Sequence, residues 1–103
     1  MAKAYWIGRV DVTDPEAYKA YVAANAEAFA KYGARFLVRG GACEVMEGSA
    51  RARNVVIEFP DRKAAEDCWN SPEYQRAKAL RDGHAIADMI IVDGYEGPQP
   101  GEG

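Results

Sequence analysis

Residues 34–60, ARFLVRGGACEVMEGSARARNVVIEFP, read as two strands in succession. The first, ARFLVRGGACEVMEG, is interrupted by Gly40 and Gly41, where a bulge, a bend or a close backbone approach is expected. The second, RARNVVIEFP, is rich in β-branched and aromatic types. Strand meets strand here with no helical pattern between them, so the stretch is the joint between two halves of the chain.

Working outward, TDPEAYKAYVAANAEAFAKYG (13–33) changes to a helical period. Asp14 can cap it, Pro15 sits at the first helical position, and Gly33 can close it. Tyr18, Tyr21, Val22, Asn25, Phe29 and Tyr32 form its inward stripe. On the other side of the joint, residues 61–82 are helical by pattern, with Asp61 as a start signal. Pro72 disfavours helical geometry in the residue before it, so two short helices are expected, about 62–69 and 72–82. AYWIGRVDV (4–12) and ADMIIVDGYEG (87–97) are the outer strands.

The order β, α, β, β, α, β predicts an α+β domain: a four-stranded antiparallel sheet with both helical segments on one face, the ferredoxin-like arrangement. At 103 residues one compact domain over 1–96 suffices, followed by a tail at 97–103, GPQPGEG from Gly97, with nothing to bury and expected to be mobile.

Alternation along strands sorts the residues by face. Trp6, Val10, Phe36, Val38, Val55, Ile57, Phe59, Ile90 and Val92 are expected toward the helices. The opposite face then carries Tyr5, Ile7, Arg9, Asp11, Arg35, Leu37, Arg39, Val56, Glu58, Met89, Ile91 and Asp93. Its centre is too apolar to be left in water, which predicts a homodimer pairing these faces about a two-fold axis. The alternative is a monomer with a mixed, solvated sheet face.

The formal charge is only −3, with Lys and Arg scattered among Asp and Glu. No basic field for nucleic acid is present. No run approaches a membrane span and the N-terminal residues lack a signal-peptide pattern, so a cytoplasmic protein is expected. Cys43 and Cys68 show no metal or redox spacing and are expected as structural thiols. No HxH, HExxH, CxxC, phosphate-loop or dinucleotide pattern occurs, so no metal, nucleotide or flavin cofactor is expected.

FLVRGG (36–41), VVIEFPDRKAAEDCW (55–69), SPEYQ (71–75) and IIVDGYEG (90–97) together resemble a family of small, mostly bacterial proteins known as domain of unknown function 1330, within the dimeric α/β-barrel superfamily. The likeness runs over about residues 3–96, in order. It implies a ferredoxin-like protomer and a dimer in which two sheets form a barrel. It supplies no reaction, because related folds include cofactor-independent monooxygenases, haem-degrading enzymes and stress-responsive barrels. By motif position Arg39, Gly40, Gly41, Glu58, Phe59, Ser71, Pro72 and Tyr74 match the family. Cys68 departs from it, standing where relatives tend to have a second aromatic ring.

Candidate site residues are few. Ser71 precedes Pro72 and reads as an N-cap rather than a nucleophile, since no elbow pattern surrounds it. Tyr74, Ala77, Arg81 and His84 share an arc if helical periodicity persists, bringing a phenol, a guanidinium and an imidazole to one rim. Gly83 is a candidate C-terminal cap that would end the helix before His84. His84, Tyr74 and Glu58 are the candidates for proton transfer. Asn25, Arg39, Trp69 and Arg81 are the candidates for ligand binding. Asn25 is a polar amide in an apolar stripe, which either faces a cavity or bonds nearby backbone. Arg39 with Glu58 would either anchor an anion or form an ion pair at the dimer face.

These residues suggest a site for a small, partly aromatic or carbonyl-bearing metabolite, with cofactor-free proton-transfer or oxygenase chemistry. The alternative is a non-catalytic dimeric ligand-binding or stress-associated module. Composition and motifs do not separate enzyme from binder.

Overall fold

A computed structural model describes residues 2–102. The expected outer limits of the domain and of the tail, Met1 and Gly103, lie outside the described residues. The elements are β1 (Ala4–Val12), α1 (Pro15–Lys31), β2 (Arg35–Arg39), β3 (Arg53–Phe59), α2 (Arg62–Asn70), α3 (Pro72–Ala79) and β4 (Ala85–Asp93). The strands form one antiparallel sheet in the order β2-β3-β1-β4. This is the ferredoxin-like arrangement, with the second helical segment broken between Asn70 and Pro72.

Capping chemistry sets the helix starts. The Asp14 carboxylate accepts from the Ala17 N–H and the Asp61 carboxylate from the Ala64 N–H, each satisfying a donor that the first turn leaves free. Ser71 does the same for α3: its hydroxyl accepts from the Tyr74 N–H at 3.1 Å and donates to the Cys68 carbonyl at 2.7 Å. With the hydroxyl so committed and buried, Ser71 joins two helices and is not placed to act as a nucleophile. Ser71→Ala is expected to cost about 1–2 kcal/mol, since it leaves a buried donor unpaired. A urea midpoint lowered at unchanged slope is the expected reading, and an unshifted midpoint would refute the capping role.

The α3 helix ends at Ala79, earlier than the expected 82. The N–H groups of Leu80, Arg81 and Asp82 bond carbonyls three residues back, tightening the chain into a turn. Gly83 (φ +78°) then reverses it into β4. Arg81 therefore lies in a tightened turn rather than on a continuing helix.

The even-numbered residues Ala4, Trp6 and Val10 of β1, with Ile57 and Phe59 of β3, face the helices and meet Tyr18, Tyr21, Ala28 and Phe29 of α1 and Ala65, Cys68, Tyr74 and Ala77 of α2 and α3. Trp6 sits at the centre, its ring centroid 4.9–5.5 Å from those of Phe29, Phe59, Trp69 and Tyr74.

Two strands depart from the expected facing. In β4 the core side is Ala85, Ala87, Met89 and Ile91, while Ile86, Ile90 and Val92 are exposed on the open face. The expected inward positions Ile90 and Val92 are thus corrected outward, and Met89 and Ile91 inward. The run Met-Ile-Ile-Val is apolar on both parities, so its pattern does not choose a face. Pairing chooses: Met89 lies opposite Gly8, whose missing side chain leaves room for the thioether. A Cβ on Gly8 would stand 2.5 Å from Met89 Sδ.

In β2 a bulge lies between Phe36 and Val38. Phe36 pairs with the inward Ile57, but Val38 pairs with the outward Val56 and Arg39 with the inward Val55. Val38 and Arg39 therefore exchange their expected faces, because one extra residue reverses the alternation beyond it. Gly40 (φ +68°) ends the strand where a side chain would collide with Arg53, and residues 40–52 leave the sheet as an exposed loop.

Candidate functional site

The corrected facing gathers a site. Asn25 projects from α1 with only 4% of its surface exposed, and its Oδ1 is buried without a hydrogen-bond partner. It lines a pocket between α1 and the sheet whose floor is Gly8 and Met89 and whose aromatic wall is Tyr18, Tyr21, Phe29 and Phe36. Arg39, Arg53 and Arg81 complete the lining, and no acidic residue takes part. The free space is about 30 Å³, room for one or two waters.

The bulge turns Arg39 to this side, with its guanidinium 4.1 Å from the centroid of the Phe36 ring. Arg53 sits 5.5 Å from the Tyr18 ring, and its buried Nε has no acceptor. Arg81 is buried and lies 5.2 Å from the Tyr21 ring. Burial works against its charge, but the Tyr74 and Tyr21 oxygens beside it raise its pKa overall.

Three of the four residues expected to bind ligand, Asn25, Arg39 and Arg81, thus come together. Trp69 does not. It lines a separate apolar groove with Trp6, Met89, Ile90 and Ile91.

The three proton-transfer candidates are dispersed. Tyr74 is fully buried, not at a rim, and its hydroxyl lies 2.9 Å from that of Tyr21. Burial, with Tyr21 adding to it, pushes the Tyr74 phenol well above its ordinary pKa. It lies behind the pocket wall, against Tyr21, Arg81 and Phe29. Glu58 lies on the open sheet face, opposite Tyr5 and Arg35, and pairs with Lys3 at 3.2 Å. The Arg39–Glu58 pair considered from sequence is therefore not formed, since the bulge puts the two on opposite faces. His84 lies beyond α3 at the start of α1. Its Nδ1 is 3.6 Å from Asp14 Oδ2, and its carbonyl accepts from the N–H groups of Thr13 and Asp14. Tyr74 and Arg81 adjoin in the interior rather than at a rim, and the turn at 80–83 carries His84 away from them to the start of α1.

Cys68 is buried beneath α1, its thiol directed to the Ala28 carbonyl and its pKa pushed up to about 12 by burial, with Glu73 adding to the effect. Cys43 is exposed in the 40–52 loop. Among the described residues, no three His, Cys, Asp or Glu side chains gather as a metal site requires.

Sequence reading missed Arg53. Its signal was the strand's own alternation: it stands two residues before the inward Val55, so a charge was due inside. Gly8 was missed as a floor residue for the same reason, standing between the inward Trp6 and Val10.

The family model described as Domain of unknown function (DUF1330) matches residues 3–95. The chain belongs to this family. Comparison with curated proteins found no match. Among solved structures, a protein of unknown function from Rhodopseudomonas palustris is similar at 17% identity and a TM-score of 0.75, covering 93% of this chain and 85% of its own. SnoaB, a cofactor-independent oxygenase from Streptomyces nogalater, is similar at 13% identity and a TM-score of 0.60, covering 94% and 97%. A dimeric ferredoxin-like protein of unknown function from Thermobifida fusca gives 13% identity and a TM-score of 0.51 over 88% and 92%. Identities this low establish a shared fold. For this DUF1330 chain they establish no reaction. No helix among the described residues is long and apolar enough to cross a membrane.

Proposed function

We propose that this DUF1330 chain acts as a homodimer in which each protomer binds a small, partly aromatic or carbonyl-bearing molecule in the pocket between α1 and the sheet. The observation that carries the reading is Asn25 Oδ1, buried and unpartnered at the wall of an aromatic pocket. A buried polar atom without a partner is uncommon and costs about 1–3 kcal/mol, so a ligand that supplied the missing donor would recover that loss. The open sheet face is the proposed dimer contact, since Val38, Val56, Ile7 and Ile90 make an apolar row across all four strands.

Cofactor-free oxygenation or proton transfer is the chemistry proposed for the pocket, a reading supported by the likeness in fold to SnoaB. Tyr21 lines the pocket and its hydroxyl is bonded to that of Tyr74 behind it, so Tyr74 is assigned a positioning role. The proposal gives Glu58 and His84 no part in the pocket. The non-catalytic binding module stands as a second reading, favoured by one observation: burial holds the Tyr74 and Tyr18 phenols above their ordinary pKa, as donors rather than bases.

Thermal-shift screening with aromatic and carbonyl-bearing metabolites tests the site. Stabilisation of the wild type and its loss in Asn25→Leu are expected. If nothing stabilises the wild type, or if Asn25→Leu responds equally, the pocket is not the site. Oxygen uptake, or exchange of ligand C–H for deuterium, with a bound compound and no added metal or flavin separates enzyme from binder.

A further inference from the structure

Arg39, Arg53 and Arg81 line one pocket, and among the described residues none has a carboxylate within 4.0 Å. Of the five other arginines, Arg51 holds Asp11 at 2.6 Å and Asp88 at 2.8 Å and Arg62 holds Asp93 at 3.3 Å, while Arg9, Arg35 and Arg76 have no such partner among the described residues but stand exposed to water. The contrast is sharpest at Arg81, which is only 8% exposed. Buried charges are ordinarily paired, because removing an ion from water costs several kcal/mol even after relaxation. The tyrosine oxygens and ring beside Arg81 offset part of that cost but supply no countercharge.

Two unpartnered atoms add direction to the charge. Arg53 Nε is a donor without an acceptor, and Asn25 Oδ1 an acceptor without a donor. A ligand that satisfies both presents an anionic oxygen toward the arginines and a hydroxyl toward Asn25. The walls are aromatic, so the body between those groups is flat and apolar.

Size follows from what fills the pocket now. The free space of about 30 Å³ is too small for a ring. Met89, an unbranched and adaptable side chain, occupies the space above Gly8, and Arg39 lies over Phe36 at the exposed end of the pocket. A new rotamer at each of these two flexible side chains would be needed to make room for a ring.

We propose that the pocket is selective for a small hydroxylated aromatic carboxylate, its carboxylate held by Arg53 and Arg81, its hydroxyl donated to Asn25, and Arg39 closing over it. The assignment rests on the pocket reading above and adds the ligand's charge and polar pattern.

Titration calorimetry on the full chain with four probes tests it: 4-hydroxybenzoate, benzoate, benzamide and phenol. 4-Hydroxybenzoate, whose ring separates the hydroxyl from the carboxylate, is expected to bind most tightly and benzoate more weakly, with the two uncharged probes at least tenfold weaker than benzoate. Arg53→Met and Arg81→Met should each weaken 4-hydroxybenzoate by about tenfold to a hundredfold, the loss of a charge-assisted hydrogen bond. Arg53→Lys keeps the charge but loses the Nε donor and should still weaken binding. Asn25→Leu should remove the preference for 4-hydroxybenzoate over benzoate. Nitrogen-15 spectra give a readout at the residue itself, since the Arg53 Nε–H resonance should move on adding 4-hydroxybenzoate and stay still with phenol. Thermal unfolding of each variant confirms that it is folded.

Equal binding of benzamide and benzoate, untouched by the arginine variants but lost in Asn25→Leu, would overturn the anion assignment and leave the pocket standing. Failure of all four probes to bind, with no movement of the Arg53 resonance, would overturn both.

Discussion

Trp6→Ala is expected to lower the unfolding free energy by about 3–5 kcal/mol, the range for truncating a large aromatic residue in a packed core. The position explains why the upper part of that range applies. Trp6 is 1% exposed and touches rings from α1, β3, α2 and α3, three of them edge-on with interplanar angles near 74°. Its indole N–H also donates to the Ala65 carbonyl at 3.0 Å, fastening α2 to the sheet. Truncation therefore removes ring contacts in four directions and a buried hydrogen bond at once. For a domain whose total stability is of order 5–15 kcal/mol, this is a large share. The melting temperature should fall by at least about 12 °C. Trp6→Phe, which keeps ring packing but loses the donor, should fall less. Chemical denaturation checks both, and a loss below about 1.5 kcal/mol in Trp6→Ala would show that the core is centred elsewhere.

The fold was legible because its signals are local and redundant. Asp14–Pro15, Asp61 and Ser71–Pro72 each announce a helix start through capping chemistry, and the change of period on either side of residues 34–60 separates strand from helix. Side-chain facing was less legible where a strand is apolar on both parities. In β4 neither parity of Met89–Val92 is polar, and the choice rests on Gly8 of another strand, a contact 81 residues away in sequence. In β2 the glycines were read as the site of irregularity, but the bulge comes earlier, at Leu37, where no glycine marks it. That single extra residue carries Arg39 from the open face to the pocket. Asn25 was the best signal of the site for a physical reason: a lone amide in an apolar stripe has to face something polar, and the stripe's direction was already known. His84 looked aligned with Tyr74 and Arg81 because helical spacing was extended through a turn where it does not hold.

Ile90→Asp is expected to convert a dimer into a monomer, because Ile90 lies at one end of the apolar row on the open face. That row runs Val38, Val56, Ile7, Ile90 across β2, β3, β1 and β4, each beside the next in the sheet register. It is flanked toward one end of the strands by Arg35, Glu58 and Tyr5, a row that closes on the apolar Val92 of β4, and toward the other by Asn54, Arg9 and Asp88. An apolar centre with a charged rim is the anatomy of a protein interface. In a two-fold contact the substitution enters twice, burying two carboxylates among aliphatic side chains with no counterion, so the dissociation constant should rise by at least about a hundredfold. Ile90 is 56% exposed in the isolated protomer, so the monomer should stay folded. Sedimentation equilibrium at micromolar concentration should give twice the chain mass for the wild type and the chain mass for Ile90→Asp, with Ala23→Glu on the exposed side of α1 as an unaffected control. A wild type at the chain mass would overturn the dimer. Because the row and the pocket occupy opposite faces of the sheet, that result would leave the arginine-lined site to be judged on its own ligand.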